Sequence, residues 1–393
     1  MKKILIILKS ISTHNRQNAL CVEKVANYIN SSEYLIDYLS WELKTPIEKT
    51  SNTYVVVEKE ATDGIANLIR ISSKVLRTPI GNYQLVKKMR NKIVELYKIN
   101  KYDAIISVIN PVEGAEALYL AKEEIPQINA ILYEIDPNSN RYKICRTIKE
   151  KIWQYRSIKW ETKIYRSFDH IIHMASHRRH YSADCFSEFK GKSIYLDIPN
   201  FESMNSMTTG SIHVPLRLLY CGAFYPGMRE PYYMFNLFKE ISKSVQLVLD
   251  IYTGNSMRSE LEEQSAKLGY IKLHNEIPQE QLNKVIDEAD ILISVGNKDS
   301  DFLPSKTLMY MGTSKPIIHF YFDKDDVSMR YFSCYPAVLN VMQEKETTSE
   351  VKKRIVEFIS KVQKGIAVDQ KALKERLYRN TPEYSANQIC GLI

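Results

Sequence analysis

The stretch Ile291-Leu292-Ile293-Ser294-Val295, followed by Pro304-Ser305-Lys306-Thr307-Leu308-Met309-Tyr310-Met311-Gly312 and then Pro316-Ile317-Ile318, decides the fold. The first run is apolar with almost no alternation, as a strand covered on both faces would be. A polar loop follows. Ser305 can cap the helix that comes next, and that helix ends near Gly312 before a new strand. A strand feeding a helix feeding a strand is the repeating unit of parallel α/β sheets.

The same alternation runs outward through the chain. Further strands are expected at Lys3–Leu8, Ala104–Ile109, Ile128–Tyr133, His170–Met174, Leu216–Cys221, Val245–Tyr252 and Pro316–Phe320. Helical periodicity fills the gaps at Asn18–Asn30, Tyr83–Asn100, Pro111–Glu124, Pro231–Ser242, Ser256–Leu268, Pro278–Glu288 and Glu346–Gln363. Between Pro199 and Pro215 the periodicity stops in a segment rich in Ser, Thr and Asn, which reads as a linker. The fold class is therefore α/β: two Rossmann-like, doubly wound domains facing a cleft where strand ends place ligands.

The totals agree. A chain of 393 residues with 44% hydrophobic and 25% charged residues can bury a sizeable core. There is no G-x-G-x-x-G and no G-x-x-x-x-G-K-[ST], so neither usual phosphate loop is present. No apolar run approaches the roughly 18–20 residues of a membrane span. Met1–Lys9 has too short an apolar core for a signal peptide and reads as a buried first strand. The six cysteines are scattered, without C-x-x-C spacing, so a reduced, cytosolic protein without structural zinc is expected.

The net charge of +8 is local. Thirteen basic and five acidic residues lie between Arg141 and Lys192, an excess that accounts for the whole. Arg141–Arg166 reads as one amphipathic helix, with Ile144, Ile148, Ile152 and Tyr155 at helical spacing and Trp153, Trp160 and Ile164 extending the apolar side. Such a helix either packs its apolar side on its own sheet or lies on an anionic membrane. Nucleic acid is a poor third partner, since no recognised module accompanies the charge.

Lys306 in the first turn after a strand end would add a full charge to the free N–H groups of a helix start, a site suited to a diphosphate. A plain strand–loop–helix unit with a surface lysine has the same spacing. Asp299-Ser300-Asp301 and Asp323-Lys324-Asp325 match the short acidic pattern that holds a metal on a diphosphate, but so short a pattern reads better as acidic loops. His170, His173, His177 and His180 are half of the eight histidines, yet one face would not collect all four, so no metal site is expected. His14 and Asn15 follow the first strand in a loop that either meets a sugar or is plain surface.

The region 216–320 resembles the donor-nucleotide region of GT-B glycosyltransferases, in particular bacterial family 4-like enzymes. The matching residues are Pro304-Ser305-Lys306, the Met309-Tyr310-Met311 helix, and Lys315-Pro316 before the next strand. Leu218–Phe224 with Arg229-Glu230-Pro231 resembles the opening strand of the family's second domain, and Thr253-Gly254-Asn255 its second glycine turn. Tyr133-Glu134-Ile135-Asp136-Pro137 is similar to a Tyr-x-x-Asp-Pro segment of related enzymes. Two positions depart from the pattern. Acidic residues eight apart are usual, the second meeting the nucleotide ribose; here they are Asp301 and Met309, and Ser314 stands where a glycine is usual.

The resemblance implies an acceptor-binding domain over 1–200, a nucleotide-sugar-binding domain over 201–375, and a tail over 376–393 that packs back on the first domain. It implies a metal-independent, retaining hexosyltransferase in bacterial surface polysaccharide or glycoconjugate synthesis. This would move a sugar from a nucleotide-sugar donor, expected to be a UDP-sugar, to a lipid-linked glycan. No cofactor beyond that substrate is implied. Arg229 and Lys306 would neutralise the leaving diphosphate, Asp301 would meet the donor sugar, and Asp136 would position or deprotonate the acceptor. Gly222, Gly254, Pro304, Ser305 and Tyr310 would line the donor site, and His14 and Asn15 the acceptor site. The place of work would be the cytoplasm, on the inner face of the cell membrane, through 141–166. The alternative is a non-catalytic GT-B subunit that binds a glycan or an active partner.

Overall fold

The computed structural model describes residues 1–9, 17–42, 52–56, 81–139, 145, 147–203, 212–254, 256–298, 300, 302–304, 306–343 and 348–393, without the side chains of 17–20, 279–280 and 348. His14, Asn15, Asp299, Asp301 and Ser305 lie outside the described residues, as do 141–144 and Arg146. The chain divides into two compact units, Met1–Pro199 with Pro382–Ile393, and Asn200–Thr381.

The first unit holds seven strands: β1 (Lys2–Ile7), β2 (Tyr34–Ser40), β3 (Thr53–Val55), β4 (Ala104–Val108), β5 (Ala130–Glu134), β6 (His170–Met174) and β7 (Ser193–Leu196). Their order is β3-β2-β1-β4-β5-β6-β7, and every pairing is parallel. The second unit holds β8 (Leu216–Cys221), β9 (Leu247–Thr253), β10 (Ile271–Asn275), β11 (Ile291–Val295), β12 (Ile317–Tyr321) and β13 (Val338–Met342). Their order is β10-β9-β8-β11-β12-β13, again parallel throughout. Each sheet is thus doubly wound, with its switch point between the first strand and the strand that enters on its other side.

Alternate residues explain the core. Leu5, Ile7, Ile105, Leu132 and Ile171 join one apolar cluster on the first sheet, and Ile4, Ile6, Ile106, Ile131 and Ile172 join another. Both faces are dry, which is why these strands are continuously apolar. The helix Pro382–Cys390 belongs to the first unit. It packs beside Gln17–Tyr28 and adds Ala386 and Ile389 to the second cluster. Backbone carbonyls tie it down: Tyr34 donates to Cys390 O at 3.4 Å and Asn129 to Leu392 O at 3.1 Å.

Five strands, β2, β3, β7, β10 and β13, go beyond the sequence expectation. β2 was hidden by Asp37, a charged residue in mid-strand that is nonetheless buried. The Tyr102 hydroxyl donates to its carboxylate at 2.6 Å and the Asn52 amide at 3.2 Å. Paired in this way, a carboxylate is tolerated inside.

The basic helix needs correction. It spans Ile148–Ser167, not Arg141–Arg166. Thr147 is extended and caps it: the Glu150 amide donates to Thr147 Oγ1, and the Thr147 amide donates to Glu150 Oε2. That reciprocal capping box stops helix continuation upstream. The apolar residues divide between two faces. Ile148, Ile152 and Tyr155 are 77%, 39% and 68% exposed, while Trp160, Glu161, Ile164 and Tyr165 face the core.

A glycine reading is refined too. The helix Lys306–Gly312 ends as expected, but the left-handed residue after it is Ser314, at φ 61°. Gly312 serves another purpose: an added Cβ would run into the Glu202 carbonyl oxygen. Gln370 donates to Ser314 Oγ at 2.6 Å, which offsets the cost of its conformation. Gly312→Ala should therefore lower the stability of the second unit by about 2 kcal/mol, whereas Ser314→Gly should shift it by less than about 0.5 kcal/mol. Denaturant unfolding followed by a probe in that unit checks both, and equal effects would refute the assignment.

Candidate functional site

In the second unit, β8, β9, β10 and β11 deliver the chain to one edge. The register fixes this: Cys221 pairs with Tyr252, Tyr252 with His274, and Tyr220 with Ile293. Gly222 follows β8, Gly254 follows β9, Arg229 lies in the loop after β8, and Pro304 and Lys306 come from the loop after β11. Residues up to 84 positions apart in the chain thus leave from one side of one sheet.

Arg229 is held from several directions. Tyr225 and Arg229 exchange backbone hydrogen bonds at 2.9 Å each way, which folds the loop into a small hairpin around Gly227 at φ 73°. The guanidinium Nε donates to Asn297 Oδ1 at 3.1 Å, and Nη1 donates to Ala223 O at 3.4 Å. Gly222 lies under Tyr220, whose hydroxyl would be 3.1 Å from an added Cβ. That hydroxyl donates to Ala223 O at 3.2 Å, and its ring stacks on Phe224 at 4.3 Å.

Lys306 opens a helix of seven residues whose other members are all buried. So short a helix has a weak end field, and the lysine's full charge outweighs it. Burial depresses the ammonium below its ordinary range, and Cys221 and Glu276 pull the other way. Burial pushes the Cys221 thiol up to about 11, so at neutral pH the thiol carries no charge. Glu276 Oε2 would lie 3.6 Å from a Cβ added at Gly254, which places a carboxylate at the same edge.

One expected contact and one position that departs from the family pattern turn inward. Tyr310 is buried, and its hydroxyl accepts from the Cys221 amide at 3.2 Å. It braces β8 and does not offer a free hydroxyl. Met309 is 5% exposed, so the position usually acidic in the resembling family is core here.

Behind Arg229 lies a buried polar group. The Asp326 carboxylate occupies the space that a side chain at Gly296 would need. Burial raises its pKa, while the Ser328 N–H, at 2.7 Å, and the Arg229 charge pull it down. His319 Nε2 is 4.0 Å from Asp326 Oδ2. Burial, and then Arg229, drive the His319 pKa down to about 3, so the ring is neutral.

In the first unit, Asp136 follows β5 with its side chain 51% exposed. Asn110 donates to its backbone carbonyl at 2.6 Å, and His177 Nε2 is 4.0 Å from its carboxylate. The other histidines have separate tasks. His173 Nδ1 meets the buried Glu134 at 2.8 Å, and His180 Nε2 meets Ser139 at 2.8 Å. Among the described residues no three ligand-type side chains gather as a metal site would need. Burial and then Glu134 raise the Glu161 carboxyl well above its usual range, against the two hydrogen bonds from Ser139.

Sequence reasoning missed Asn297, Glu276 and Asp326. Asn297 was legible only as part of a polar loop. Its place after Val295-Gly296, at a strand end, was the available signal.

No protein-family model matches this chain. No curated protein matches it by sequence. Solved structures do match its fold. Anabaena HepE in complex with UDP and glucose aligns with a TM-score of 0.64 at 12% identity, over 100% of this chain and 99% of that one. A Staphylococcus aureus TarM variant in complex with fondaparinux, alpha-GlcNAc-glycerol and UDP aligns at 0.63 and 8%, over 100% and 99%. Sucrose-phosphate synthase from Thermosynechococcus elongatus aligns at 0.62 and 12%, over 100% and 98%. At these identities the likeness speaks to fold, and it covers both α/β units from end to end: the chain has the GT-B fold.

Proposed function

We propose that this protein is a glycosyltransferase that uses a nucleotide-sugar donor. The observation that carries the reading is the gathering of Arg229, Lys306, Gly222 and Gly254 at one strand edge of the second sheet. The HepE and TarM structures that share the fold contain UDP. As the bond from the sugar's anomeric carbon to the diphosphate oxygen breaks, negative charge grows on that oxygen. Two cations fixed beforehand stabilise it without reorganisation. Arg229 offers bidentate geometry and Lys306 a point charge. With these cations in place the reaction has no need of a metal, and we read it as metal-independent and retaining.

The acceptor we propose is a lipid-linked glycan, bound by the first unit near Asp136 at the cytoplasmic leaflet of a bacterial membrane. The exposed Ile148, Ile152 and Tyr155, beside Lys149, Lys151, Arg156 and Lys159, support this. That mixture suits an anionic lipid surface. Among the described residues no helix is long and apolar enough to cross a membrane. A second reading, a non-catalytic subunit, is favoured by Met309, which removes an acidic group from the site and buries its replacement.

A thermal-shift panel of UDP-, GDP- and dTDP-sugars separates the two readings: a transferase is stabilised by at least one, and silence across the panel refutes it. With the responding donor, Arg229→Ala and Lys306→Ala should each lower turnover about a hundredfold, and activity should survive chelator. For the surface, replacing Lys149, Lys151 and Lys159 with Gln should weaken binding to vesicles containing phosphatidylserine by about a hundredfold, at about 1 kcal/mol for each cation. Equal binding to neutral and anionic vesicles refutes that part alone.

A further inference from the structure

The loops after β8 and β11 are laced together around Arg229. The Lys298 amide donates to Met228 O at 2.8 Å, and the Lys298 ammonium reaches Glu230 Oε2 at 3.0 Å. Between these two links Asn297 Oδ1 accepts from Arg229 Nε at 3.1 Å. The orientation of the Asn297 amide is itself fixed, because Nδ2 donates to the Phe302 carbonyl at 2.9 Å. Only 5% of Asn297 is exposed, so water does not compete for it. Gly296 leaves room for the Asp326 carboxylate behind this group.

The chemistry of the holder matters. An amide oxygen fixes a guanidinium by its dipole and leaves the full positive charge unspent. A carboxylate at the same distance would fix it equally well, but would form an ion pair and cancel the field that an incoming anion meets. Neither nearby carboxylate makes a hydrogen bond to Arg229 among the described residues: Asp326 Oδ1 accepts from the Ser328 amide, and Glu230 accepts from the Gly227 amide and the Lys298 ammonium. Neutral His319 adds no competing charge of its own. The loop therefore holds Arg229 in place while keeping it charged toward ligand.

The geometry points to Asn297 as a positioning residue for the donor diphosphate, one that acts through Arg229 by aiming its guanidinium with a neutral amide. This rests on the donor-site reading above. It adds a specific requirement at residue 297: an acceptor that carries no charge.

The test is isothermal titration of the full chain with UDP, GDP and dTDP, using wild type, Asn297→Ala, Asn297→Asp, Arg229→Ala and the Arg229→Ala/Asn297→Ala double variant. Asn297→Asp keeps the side chain's size and serves if the alanine variant misfolds. The expected result is affinity about tenfold weaker in Asn297→Ala and at least as much weaker in Asn297→Asp. The double variant should bind no more weakly than Arg229→Ala alone. Wild-type affinity in Asn297→Asp, or losses that multiply in the double variant, overturns the inference. If Arg229→Ala itself binds as wild type, or if no diphosphate binds, the donor-site reading fails and the inference falls with it. If Arg229→Ala weakens binding and both Asn297 variants do not, only the inference fails.

Discussion

Every strand of both sheets runs the same way as its neighbours, and the rest of the molecule follows from that constraint. A parallel sheet needs a crossover after each strand, so all loops of one kind emerge at one edge. Gly222, Gly254, Glu276, Asn297 and Lys306 come from four different strand ends, yet they share that edge. No sequence motif spans them. Their convergence is a property of strand direction.

The same constraint explains which parts were legible. A strand dry on both faces must be continuously apolar, so β1, β4 and β11 declare themselves in the sequence. β10 sits at an edge, carries Lys272 and His274, and does not. β2 hides because Asp37 is compensated by Tyr102, a partner 65 residues away. At the basic helix the sequence leaves open whether the apolar side meets the sheet or a membrane. Trp160 turns inward, donating to Glu116 at 2.8 Å, and leaves Ile148 and Tyr155 outside. Which of two apolar faces is buried depends on what stands opposite, and local periodicity does not contain that. Thr147 and Glu150, by contrast, set the helix start from four residues alone.

Within the site, residue type was legible and residue aim was not. Arg229 and Lys306 could be picked out as cations near strand ends. Tyr310 could equally be picked out as a contact, and its hydroxyl proves to be spent on the Cys221 backbone. Gly312 looks like a helix terminator, but its lack of a side chain serves Glu202, while Ser314 takes the left-handed turn. In each case the sequence shows a capability, and the partner that uses it lies at a distance only the fold closes.

The two cations are kept in different ways, and the difference bears on what they can do. A guanidinium is a planar fork whose use depends on aim, and at Arg229 a neutral amide supplies the aim without an opposing charge. Lys306 is a flexible point charge, and burial makes its ammonium costly. Cys221 and Glu276 offset part of that cost, and the net direction is still downward. A half-buried ammonium whose desolvation is only partly offset gains when an anion arrives. A bound diphosphate would thus restore the charged lysine to a favourable environment and meet an arginine already in position. On the donor-site proposal, the free protein bears the partial desolvation of one cation and the ordering of the other before any ligand binds, the condition under which charge stabilisation would act on the breaking bond and not merely on the encounter.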